Sequence, residues 1–127
     1  MGGGSSSSHS GTSASISDNL PRIKREFPVS PSGYIGNGSR SGRVTTHSSN
    51  HPRTAAERLF ALAGRGGELR VHKDGRGMTT LMKDGGTVTL RLTSHSDGSP
   101  TVQISSGSQD SKIPKSQKIH FIPEGAK

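Results

Sequence analysis

Lys118-Ile119-His120 sets an ammonium and an imidazole two residues apart, and in an extended chain that spacing sends both to the same side. Arg91-Leu92-Thr93 repeats the arrangement with a guanidinium and a hydroxyl, and Thr101-Val102-Gln103 with a hydroxyl and an amide. Histidine titrates near neutrality and serves as either proton acceptor or proton donor. Arginine and lysine stabilise phosphate oxygens, arginine through a two-donor fork. Hydroxyls of Thr and Ser hold a non-bridging oxygen or a 2′-OH. RNA brings its own nucleophile, the 2′-OH, so a protein cleaves it by supplying proton transfer and cations for the developing phosphorane charge. The inventory suits such metal-free cleavage, with no cofactor, and His120 is the first choice for proton transfer. Each residue type is also ordinary on a sheet face open to water, which is the plain alternative.

These residues need strands to hold them. In "TVTLRLT" the apolar Val88, Leu90 and Leu92 alternate with Thr89, Arg91 and Thr93; in "TVQIS" Val102 and Ile104 alternate with Thr101 and Gln103; in "KIHFI" Ile119 and Phe121 alternate with Lys118 and His120. "ELRVHK" places Leu69 and Val71 on one side, Arg70 and His72 on the other. The outward side therefore collects Arg70, His72, Arg91, Thr93, Thr101, Gln103, Lys118 and His120, with Glu68 the exception in sign. Asp84-Gly85-Gly86 reads as a tight turn, and "SGSQDSKIPKSQ" as a long polar loop. Upstream, "TAAERLFALAG" reads as a helix: Thr54 and Glu57 form a capping box, Ala56, Leu59, Phe60 and Ala63 make one apolar face, and Gly64 supplies a left-handed stop. The expected fold is α+β, an N-terminal helix packed on a four- to five-stranded antiparallel sheet, preceded by a flexible Gly/Ser-rich leader. Its divisions are a disordered leader over 1–19, an extended basic arm over 20–42 (three prolines and repeated glycines argue against a long helix), and the domain over 43–127.

With 127 residues there is room for one domain, and 25% hydrophobic residues allow only a small core. The net charge of +8 favours polyanionic partners, nucleic acid first. From Arg43 onward 13 Lys and Arg stand against 7 Asp and Glu, so most of the excess belongs to the domain. The absence of cysteine excludes disulfides, thiolate metal sites and a Cys nucleophile. Neither a signal peptide nor an apolar run near the roughly 18 residues of a membrane span is present. His47 and His51, four apart, lack an acidic or thiolate co-ligand; His47 is instead a candidate for the second acid/base. Ser94-His95-Asp97 lies within one turn and has the wrong geometry for a nucleophilic triad. "GRGG" and "GYIGNG" match no phosphate-binding fingerprint.

A helix, then "KDGGTVTLRLTSHSDGSPTVQI", a variable loop and "QKIHFI" together resemble the C-terminal toxin domains of bacterial polymorphic toxins of the contact-dependent inhibition and Rhs types. Many of these have the barnase/colicin/RelE-like ribonuclease fold. The resemblance covers Thr54–Ile122, and this chain departs from it by inserting His95 and Asp97 ahead of Gly98 and Pro100. It implies a metal-independent endoribonuclease, often one that cuts tRNA, delivered into a target cell's cytoplasm and neutralised by a cognate acidic immunity protein. It also implies active-site roles for Arg91, Ser94, Ser96, Thr101, Lys118 and His120. Thr93 joins them as a positioning hydroxyl, and Arg70, His72, Lys73 and Arg43 are the expected RNA contacts of a monomer without membrane association. The alternatives are a basic nucleic-acid-binding module without catalysis, or a toxin domain acting on DNA or a nucleotide.

Overall fold

A computed structural model describes residues 14–73, 75–92, 99–107 and 113–124. The first element is one the sequence reading left out. Helix α1 (Ile16–Glu26) starts where Ser15 and Asp18 form a reciprocal capping box, the Asp18 N–H donating to Ser15 Oγ and the Ser15 N–H to Asp18 Oδ2 at 2.9 Å. Those hydrogen bonds hold the Asp18 carboxyl below its ordinary range. Ile16, Leu20 and Ile23 are buried, and Pro21 sits inside the helix. The leader boundary at 19 and the extended arm from 20 are thus corrected: a helix crosses both. Its apolar face outweighs the one backbone hydrogen bond that proline removes.

After α1 the chain packs on the rest of the fold. Phe27 and Ile35 are buried, and the buried Gln117 side chain accepts from the Ile35 N–H (2.9 Å) and donates to the Gly33 carbonyl (3.0 Å). Strands β1 (Arg40–Ser41) and β2 (Val44–Ser49) follow, then helix α2 (Pro52–Ala63). α2 starts at Pro52, whose missing N–H costs nothing in the first turn. Its N-cap is His51, without a side-chain cap, and Glu57 pairs with Arg53 at 3.3 Å, so the Thr54–Glu57 capping box does not form. Nor is Gly64 a left-handed stop: its φ is −92°, and the left-handed turn falls on Gly66 at +84°. The end of α2 is instead held from α1, where buried Asn19 donates to the Ala63 carbonyl of α2 and to the Arg65 carbonyl just beyond it, each at 2.9 Å.

The remaining strands are β3 (Glu68–Val71), β4 (Gly77–Leu81), β5 (Thr87–Arg91), β6 (Thr101–Ser105) and β7 (Ser116–Pro123). They make one seven-stranded sheet in the order β1-β2-β7-β6-β5-β4-β3. All neighbours are antiparallel except β2 and β7, which run parallel. The α+β class stands; the sheet is mixed and wider than four or five strands, and a second helix packs along the one that covers it. β2 escaped the sequence reading because "VTTHSS" buries Thr45 and His47 rather than two aliphatics.

α2 packs against β2, β5, β6 and β7, and α1 lies along α2. Between helices and sheet sits the core of Leu59, Phe60, Val88, Leu90, Val102, Ile104, Ile119 and Phe121, all buried. The helices do not reach the β3 edge, where Leu69 and Val71 stay 55% and 65% exposed. Among the described residues no helix is long and apolar enough to cross a membrane.

Candidate functional site

Because side chains alternate along each strand, the face opposite the helices is built from the positions between the core residues. Register aligns them into rows. Arg91 pairs with Thr101, and Thr101 with His120; the row continues to Gly77 on one side and Thr46 on the other. A second row, two residues along, runs Arg70, Thr79, Thr89, Gln103, Lys118 and Val44. The two rows lie roughly 7 Å apart along the strands and successive members about 4.8 Å apart across them. Arg91, Thr101, Lys118 and His120 thus occupy four neighbouring positions on three adjacent strands.

Thr101 is the fixed point of this group. It is only 3% exposed, donates its hydroxyl to the Ser99 carbonyl (3.4 Å) and contacts His120 Nδ1 (3.4 Å). With its proton committed to Ser99, the Thr101 oxygen accepts from Nδ1–H. That leaves the lone pair of His120 on Nε2, the nitrogen that would take a proton. His120 and Lys118 are half-buried, and Arg91 is exposed at the end of β5. Among the described residues Glu68 is the one carboxylate on the strands of this face, and Arg70 pairs with it at 3.3 Å.

His72 belongs to the same face, at the far end of the first row. A Cβ on Gly77 would stand 2.9 Å from His72 Nδ1 and 2.6 Å from the Leu90 carbonyl, so the imidazole fills space that only a glycine leaves open. Its Nε2 contacts Thr79 Oγ1 at 2.8 Å, and Thr79 contacts Thr89 Oγ1 at 3.1 Å. Three strand spacings, roughly 14 Å, separate Gly77 from His120 at the level of the sheet. His72 and His120 therefore stand at separate places on this face.

His47 is on the wrong face for the role given to it. It points into the core, 8% exposed, with its ring 5.2 Å from that of Phe27 and 5.4 Å from that of Phe121. Burial without a charged partner pushes its pKa below the ordinary histidine value. The position expected to bring a second acid/base to the site instead completes an aromatic cluster behind it.

The other expected residues are spread out. Arg43 donates to Ser116 Oγ (3.0 Å), and its carbonyl accepts from the Lys118 N–H (2.8 Å), which sets it beside the second row. Lys73 is exposed in the β3–β4 turn. Thr93, Ser94 and Ser96, in the segment joining β5 to β6, lie outside the described residues. Sequence reasoning missed Thr46 and Thr79, which complete the hydroxyl lining of the face. The period-two signal at Met78-Thr79-Thr80 was available for Thr79; none pointed to Thr46 without β2. Among the described residues no three His, Asp or Glu side chains are grouped to hold a metal ion. Comparison with protein-family models, with curated proteins and with solved structures finds no match in any of the three.

Proposed function

We propose that this chain is a metal-independent endoribonuclease of the toxin type, acting on RNA and on tRNA among its substrates. The observation that carries the reading is the cross-strand row Arg91–Thr101–His120, with Lys118 beside it, on a face whose strand carboxylate is already neutralised by Arg70. In this reading His120 Nε2 accepts the proton of an attacking 2′-OH. Thr101 holds the ring by its other nitrogen. Arg91 and Lys118 carry the negative charge that grows on the phosphorane; as the P–O5′ bond breaks, the leaving 5′-oxygen takes a proton from the His120 imidazolium or from water, giving a 2′,3′-cyclic phosphate and a free 5′-hydroxyl. Thr93, Ser94 and Ser96 are proposed to position the phosphate, and Arg70, His72, Lys73 and Arg43 to hold flanking nucleotides. An acidic immunity protein covering the same face is the proposed physiological partner.

The test is incubation of purified protein with tRNA in EDTA, followed by analysis of the ends produced. Cyclic phosphate ends are expected, with a loss of about 10²- to 10⁴-fold in rate for His120→Ala, the usual contribution of a positioned acid/base. Full activity in that variant removes His120 from the mechanism, and a requirement for added metal removes the mechanism itself. Salt-sensitive RNA binding with no cleavage would favour the non-catalytic module.

A further inference from the structure

On the other side of the molecule from the candidate site, α1 and α2 enclose a groove of about 310 Å³. Arg22, Arg25 and Glu26 line one wall, and Arg58, Leu62 and Arg65 line the other. Arg22 and Arg25 stand one helical turn apart on α1, and Arg65 follows Arg58 by seven positions, just beyond the end of α2. Arg58 is engaged: Nε donates to Glu26 Oε1 at 2.6 Å and Nη2 to Oε2, which holds the Glu26 carboxyl below its ordinary range. Among the described residues no carboxylate pairs with Arg22, Arg25 or Arg65. The walls are held in place by the Asn19 clamp, which binds the Arg65 carbonyl itself.

Three unpaired guanidiniums facing one concavity repel one another. A helix C-terminus favours a single cation by about 0.3–1 kcal/mol at an exposed position; it does not account for three that converge from two helices. We infer that the groove is a second phosphate-binding site, which takes the backbone of a nucleic-acid strand. The inference goes beyond the catalytic reading and rests on it only in taking the polyanion to be nucleic acid. Guanidinium forks match phosphate oxygens in pairs, and phosphate recognition needs no apolar anchor. A protein partner would need one, since binding energy concentrates at buried aromatic and aliphatic contacts. Among the described residues the exposed large hydrophobics are Val44, Leu69 and Val71, all on the sheet and none in the groove. An RNA long enough to reach both sites wraps the edge of the domain, while a dinucleotide fills the sheet face alone.

The experiment uses a fluorescent single-stranded oligodeoxynucleotide, which lacks the 2′-OH and stays intact, titrated by anisotropy over a range of salt. Arg22→Gln/Arg25→Gln/Arg65→Gln is expected to weaken binding at least about tenfold and to reduce the salt slope by about 2, since each single-strand phosphate contact contributes about 0.7. The corresponding triple lysine variant, which keeps the charge, is expected to recover the slope and part of the affinity. Unchanged affinity and slope in the glutamine variant overturn the inference. So does normal DNA binding combined with lost retention of poly-glutamate, which would assign the groove to an acidic protein. Circular dichroism of both triple variants separates lost binding from lost fold. DNA binding that depends on the groove in a chain that never cleaves RNA leaves this site standing and removes the catalytic reading. RNA cleavage with a groove indifferent to DNA does the reverse.

Discussion

At the scale of single residues, the two histidines that the sequence offers for proton transfer have opposite surroundings. His120 alternates with Ile119 and Phe121 along β7, so its outward direction was legible from period two alone. His47 was not, because its strand carries threonines where aliphatics would have marked the core. Its Nδ1 and the Thr45 hydroxyl are buried without a hydrogen-bond partner among the described residues. Such groups cost about 1–3 kcal/mol each. Thr45→Val, similar in shape and without the hydroxyl, is expected to raise stability by about 1 kcal/mol in urea unfolding. The imidazole has a pH signature too. The native state keeps it neutral to a lower pH than the unfolded chain does, so its contribution is complete above the ordinary histidine value near 6.5 and is lost as pH falls toward the depressed native value. Stability should therefore decline on acidification below about 6.5, by at most about 1.4 kcal/mol per pH unit for one group. His47→Leu should decline less steeply, and identical slopes in the two proteins would remove this role.

Among the elements, β5, β6 and β7 were legible because each pairs buried aliphatics with outward polar residues. The apolar face of α2 was legible for the same reason, although both of its ends were misread. Its true supports are Pro52 at the start and a side chain from another helix at the end, and no local motif announces the second. α1 did leave a trace, in the helical spacing of Ile16, Leu20, Ile23 and Phe27, and Pro21 obscured it. Its contribution is specific: Asn19 satisfies the last carbonyl of α2 and that of Arg65 just beyond it. Asn19→Ala is expected to cost about 1–3 kcal/mol in chemical denaturation, the range for orphaning a buried acceptor. Loss of less than about 0.5 kcal/mol, the scatter of ordinary surface substitutions, would mean that the clamp is dispensable.

For the whole molecule, two helices cover fewer strands than the sheet contains. Leu69 and Val71 lie on the helix side of the short edge strand β3, which the helices do not reach, and apolar side chains exposed at a sheet edge invite pairing with another chain. Leu69→Lys/Val71→Lys should leave stability within about 0.5 kcal/mol and reduce light scattering after heating. Unchanged scattering would show that the edge is not where aggregation begins. The order of the strands has a different consequence. β7 is the last of the seven to be synthesised, yet it lies between β2 and β6, and without it the sheet falls into two separate pieces. His120 and Lys118 are on that strand, and Arg91 and Thr101 are on the piece it must join. A chain emerging from the ribosome therefore carries half of the proposed chemistry on an unfinished sheet, and the proposed row closes only when β7 inserts. The proposed row is therefore the last part of the sheet to be assembled, after every other strand exists.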